Sequence, residues 1–143
     1  MNKVEIWNFM VETLSQVDLM SANEKDHEAA LVYHFYSEVE SGGHEGLLNW
    51  LSDYIEKVGS TKYFEDLSQY LEKIDASEYA VIERTYGEQL WKLFKALEAD
   101  EKKEDAFYEV IQKADEAYYA LEGKLEKRLE AYFSQIYVMY LKQ

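Results

Sequence analysis

The chain has 143 residues and a mass of 16.9 kDa, a length that suits one domain with a sizeable core and a folded surface of about 7,700 Å². Hydrophobic residues make up 48%, with thirteen Tyr, six Phe and three Trp, which excludes a disordered acidic tail; with no Cys there are no disulfides, thiol catalysis or Cys-ligated metal, and no Pro and six Gly argue against a turn-rich β-sandwich. Twenty-nine acidic side chains against fifteen Lys and Arg leave −14, a field that repels nucleic acid and anionic lipid and attracts a basic protein surface.

Apolar residues recur at helical spacing along almost the whole chain. A first helix is predicted over 4–19, with Trp7, Met10, Val11, Leu14 and Val17 on one face. Ser21-Ala22-Asn23-Glu24 has the capping-box pattern. The helix it opens runs over 22–40 and buries Leu31, Val32, Phe35 and Val39. Ser41-Gly42-Gly43 ends it, and one of Gly42 and Gly43 is expected at positive φ, because two helices must change direction within about three residues. A third helix, 44–58, turns Leu47, Leu48, Leu51, Tyr54 and Ile55 inward and stops at Gly59. A fourth, 61–74, buries Tyr63, Phe64, Leu67 and Leu71. Asp75-Ala76-Ser77-Glu78 is a second capping-box pattern, leading into a stripe over 79–99 interrupted by Gly87. The remaining apolar stripe, from Phe107 to Tyr140, is too long for one helix of a small domain, so a break is predicted between Asp115 and Gly123. No segment alternates as a strand would. The reading is all-α: a single domain over 1–143, of six to seven helices.

No apolar run approaches the roughly 18–20 residues of a membrane span, and the first twenty residues carry Glu5, Glu12 and Asp18 without a basic start. The expected compartment is the cytoplasm. Catalysis finds little support: there is no G-x-S-x-G elbow, and Ser41-Gly42-Gly43-His44-Glu45-Gly46 lacks the lysine and preceding strand of a phosphate loop. No enzyme and no cofactor are expected. His27, Leu31, His34 and Glu38 share one helical stripe, and Glu24 to His27 has Glu-x-x-His spacing. A metal-binding protein using the His27/His34 stripe is therefore one alternative, to be weighed against a pair of surface histidines.

The acids are unevenly placed. Residues 1–72 hold 14 acidic and 4 basic side chains, net −10, and residues 73–143 hold 15 and 11, net −4. Averaged over the surface, the net charge is about one per 550 Å², roughly five-fold more dilute than on B-DNA. Only a clustered face could imitate DNA. The candidates are Glu38 and Glu40, which decorate the second helix, and Glu45, Asp53, Glu56, Glu65 and Asp66, which lie opposite the apolar stripes of the third and fourth, with Lys57 and Lys62 as the main nearby bases.

Glu24 to Gly59 reads EKDHEAALVYHFYSEVESGGHEGLLNWLSDYIEKVG: an amphipathic helix, a Gly-Gly turn, then an aromatic-bearing helix ending at glycine. Ala114 to Phe133, ADEAYYALEGKLEKRLEAYF, has an acid, paired aromatics and an acidic helix closing on aromatics. In this order the two resemble the bacterial DNA-mimic-protein family over about 24–137, with Ser41-Gly42-Gly43-His44 where that family usually has Asn-Gly-Gly and an aromatic. The resemblance implies a small all-helical domain whose acidic surface binds a transcription factor and blocks its DNA site. The expected partner is a basic protein, either a DNA-binding protein or a nuclease neutralised immunity-style, with no direct binding of nucleic acid or membrane. A third reading is self-association, as a homodimer, through outward tyrosines among Tyr118, Tyr119, Tyr132, Tyr137 and Tyr140.

Overall fold

The structure, a computed structural model, describes residues 1–142. Among these there is no strand, and six helices form the fold. Helix α1, Lys3–Ser15, starts at Asn2, whose Oδ1 accepts the Glu5 N–H at 2.9 Å, and buries Ile6, Met10 and Leu14. It ends four residues earlier than its apolar pattern suggests: Val17 and Leu19 pack on the core from the following loop. There Asp18 accepts the Met20 N–H at 3.0 Å, which holds a turn. The cap of the next helix is consequently Asn23, not Ser21; Asn23 Oδ1 accepts the Asp26 N–H at 2.9 Å.

Helix α2, Glu24–Val58, consists of two helical arms that meet at a kink. Gly43 alone leaves helical geometry, at φ 65° and ψ −166°, while Gly42 continues the helix. The bend is sharp. Eight residues of straight helix rise about 12 Å, yet the position of a Cβ on Gly46 lies 3.3 Å from the Glu38 carbonyl oxygen. The two helices predicted here are thus the two arms, meeting at Gly43.

Helices α3, Ser60–Lys73, and α4, Ser77–Leu97, form a close antiparallel pair. The Phe64 ring lies directly against Gly87, where any side chain would collide with it. Between them the expected capping box does not form. Asp75 adopts φ 66° in a left-handed turn, with the Ala76 N–H donating to the Leu71 carbonyl at 2.8 Å, and α4 begins after Ala76 without a side-chain cap. A 3-10 turn over Glu101–Lys103 leads into α5, Glu104–Tyr119. The predicted break follows, with Glu122 at φ 54° and Gly123 at φ 76°, and α6 spans Lys124–Leu141.

One core joins all six helices, with Phe35, Tyr63, Tyr79, Phe107 and Phe133 fully buried. Helix α2 is central: α1 and α6 pack on its first arm, and α3 and α5 also lie against it. No helix of the described residues is long and apolar enough to cross a membrane.

Candidate functional site

The residue after the bend, His44, is 1% exposed and fully bonded. Its Nε2 lies 2.7 Å from Glu83 Oε2 on α4, and its Nδ1 lies 2.7 Å from Asp115 Oδ1 on α5. The same Asp115 oxygen accepts the His44 backbone N–H at 2.9 Å. Burial would by itself lower the His44 pKa. The charge of Glu83, then the hydrogen bonds to Asp115 and Glu83, overcome that and push it up to about 10. His44 is therefore an imidazolium clamped between two carboxylates, and it ties the bend to α4 and α5. Gly43 makes the contact feasible, because a Cβ there would lie 2.5 Å from Asp115 Oδ2.

Around this bend, carboxylates are held by tyrosines. Tyr118 donates to Glu40 at 3.0 Å and Tyr108 to Glu45 at 2.6 Å, both from α5. Tyr119 donates to the Val39 carbonyl at 2.8 Å. Farther back on the first arm, Tyr132 of α6 donates to Glu28 at 2.9 Å, but there Lys73 also pairs with the carboxylate, at 2.8 Å. Burial first, and the neighbouring Glu40 second, raise the Tyr118 hydroxyl pKa well above its ordinary value; for Tyr108 the bond to Glu45 is the main cause of a rise. These hydroxyls stay protonated at neutral pH and act as donors. A hydroxyl orients a carboxylate without cancelling its charge, as a lysine or arginine would.

The seven predicted acidic residues fall into different settings. Glu40 and Glu45 flank the bend and are tyrosine-held. Glu38, on the same arm, is half-buried, and burial raises its pKa. Asp53 is exposed on the second arm and forms no ion pair among the described residues. The other three are paired: Glu56 with Lys95 at 3.2 Å, Glu65 with Arg84 at 3.5 Å, and Asp66 with Lys62 at 2.7 Å. The nearby bases thus include Arg84 and Lys95, which α4 delivers from the second half of the chain, besides Lys62.

The histidine stripe does not assemble a metal site. His27 Nδ1 lies 2.9 Å from the Tyr70 hydroxyl and Nε2 lies 2.7 Å from the Tyr54 hydroxyl, so both ring nitrogens are engaged. Burial lowers its pKa and leaves it neutral. His34 is two turns away, about 10.5 Å along the axis, and burial lowers its pKa too. Among the described residues, no three His, Cys, Asp or Glu side chains are grouped so as to hold a metal ion.

A helical frame, a Gly-Gly bend and an acidic rim are the features to compare with known proteins. The family model described as DMP19-like protein matches residues 20–136. The chain belongs to the DMP19-like protein family. Comparisons with curated proteins and with solved structures gave no match. The family match takes in α2 to α5 and most of α6, and leaves out α1. DNA mimic protein 19 gives this family its name.

In this DMP19-like chain, α5 brings to the bend Tyr108 and Asp115, which sequence reasoning missed, and Tyr118 and Tyr119, which it read as candidates for an outward patch; Tyr118 is buried. Tyr119 sits in the field of both Asp115 and Glu40, and Tyr108 in that of both Glu45 and Glu104. A weak signal for the buried cluster existed: Glu83 lies on the apolar stripe of α4, four residues after Tyr79 and seven before Leu90. An acid on a core-facing stripe needs a buried cation or donor. The partners of Tyr108 and Tyr118 left no such trace, because they are 63 and 78 residues away.

Proposed function

We propose that this protein binds, without catalysis, the basic DNA-contacting surface of a partner protein and occupies it in place of DNA. The observation that carries the reading is the set of carboxylates at the α2 bend, Glu40 and Glu45, fixed in place by neutral tyrosine hydroxyls. DNA presents charges at set positions on a stiff frame. A mimic needs carboxylates that are ordered and still negative, and hydroxyl donors on a packed helix supply both. Membership of the DMP19-like family agrees with this role.

Exposed charges are screened beyond about 8–10 Å, so binding should weaken steeply as salt rises. The test is a competition: a DNA-binding protein captured from the source cells by this domain should release it as cognate DNA is added. Replacing Glu40, Glu45 and Asp53 together by Lys should abolish capture and leave the helical spectrum unchanged. A captured partner that holds the domain and DNA at once, or that binds equally at low and high salt, would refute the proposal.

A further inference from the structure

We infer that Trp50, on the second arm of α2, receives an arginine side chain of the partner. This deepens the acidic-surface reading above and rests on it. Trp50 is 77% exposed, more than any other large hydrophobic residue among those described. The fold does not use it: the second arm of α2 buries Leu47, Leu48 and Ile55 on its other side. Its neighbours Asn49 and Asp53 are exposed, and Asp53, one turn farther on, forms no ion pair among the described residues.

Two chemistries therefore meet at one spot, a bare indole face and an unpaired carboxylate beside it. A neutral apolar partner would leave Asp53 desolvated and unpaired, which is costly. A cation satisfies both groups, stacking on the ring while it bonds the acid. Arginine fits better than lysine, because its planar guanidinium can lie flat on the indole and still direct N–H groups to the carboxylate. The chain itself contains a version of this arrangement. Lys95 Nζ lies 5.7 Å from the centre of the Trp91 ring while bonding Glu56 and Glu98, each at 3.2 Å. At Trp50 the same combination lacks only its cation, which a DNA-binding surface rich in arginine would bring.

The experiment titrates the full chain at low salt with an oligo-arginine peptide and with an oligo-lysine peptide of equal length. Trp50→Leu and Trp50→Phe are run alongside, with their folds checked by thermal melting. Oligo-arginine should bind at least about three-fold more tightly, the scale of an exposed cation–π contact. It should also alter the fluorescence component that Trp50→Leu lacks. Trp50→Leu should bring the two peptides to parity with the salt dependence retained, and Trp50→Phe should keep part of the preference. Equal binding of the two peptides to the wild-type chain would overturn the inference, as would a preference that survives in Trp50→Leu; salt-dependent binding in either case leaves the acidic-surface reading standing. Failure of both peptides to bind at low salt would overturn that reading and this inference together.

Discussion

At the scale of single residues, the buried imidazolium decides most. Removing His44 would leave Glu83, 1% exposed, with no counter-charge. His44→Leu should therefore cost about 3–5 kcal/mol, the range for breaking a buried ion pair from one side. The double change His44→Leu with Glu83→Leu should recover most of that loss, because a packed apolar pair needs no compensation. Urea unfolding of the two variants checks this; equal destabilisation would mean that His44 acts through shape rather than charge. Beyond the acid Glu83 on a core-facing stripe, the pairing of the cluster could not be read from the sequence, since its partners are 39 and 71 residues from His44. The acidic candidates were legible as residue types but not as settings. Nothing local tells Glu45, which meets a tyrosine, from Glu65, which meets an arginine.

At the scale of elements, periodicity and glycines carried the reading. The helices, the bend at Ser41-Gly42-Gly43 and the break before Gly123 were all legible, because each follows from an apolar repeat or from a residue that tolerates positive φ. The caps were not, because Asn23 and Asp75 owe their roles to turns that neighbouring backbone bonds had already set. The bend makes a sharp comparison available. Gly42 is helical and exposed, with open space around it, whereas Gly43 is at φ 65° against the Asp115 carboxylate. Gly42→Ala should stabilise by up to about 1 kcal/mol through helix propensity. Gly43→Ala should destabilise by about 2 kcal/mol or more, from the left-handed backbone and the displacement of Asp115. Melting curves of the two variants should move in opposite directions.

At the scale of the whole molecule, net charge and buried histidines pull the pH dependence apart. A chain at −14 is expected to hold or gain stability on mild acidification from pH 7 toward about 5.5, as repulsion eases. Carboxylates take up few protons in that interval, however, and histidines many. His27 and His34 have folded pKa values lowered by burial, so their contribution is present above about pH 6.5 and is lost as pH falls through the folded values. His44 has the opposite sign: its pKa is raised to about 10, so its contribution is full below about pH 6.5 and is lost as pH rises toward that value. Stability should peak near pH 6.5 and fall on both sides. Denaturant titrations from about pH 5.5 to 9 would show it, and His44→Gln should flatten the alkaline limb alone.

The His44 clamp also has a consequence for the order of assembly. Its three members come from α2, α4 and α5, and closing it brings together positions 71 residues apart. The α3–α4 pair is contiguous in the chain and can form early, but the imidazolium cannot be desolvated until both carboxylates are in place. The angle of the α2 bend is then expected to be set late, after the folding barrier has been crossed. In rate measurements, His44→Leu should leave the folding limb nearly unchanged and speed unfolding by most of its equilibrium loss, the signature of a contact absent from the transition state. The surface carrying Glu40 and Glu45 would be the last part of the molecule to acquire its shape and the first to relinquish it.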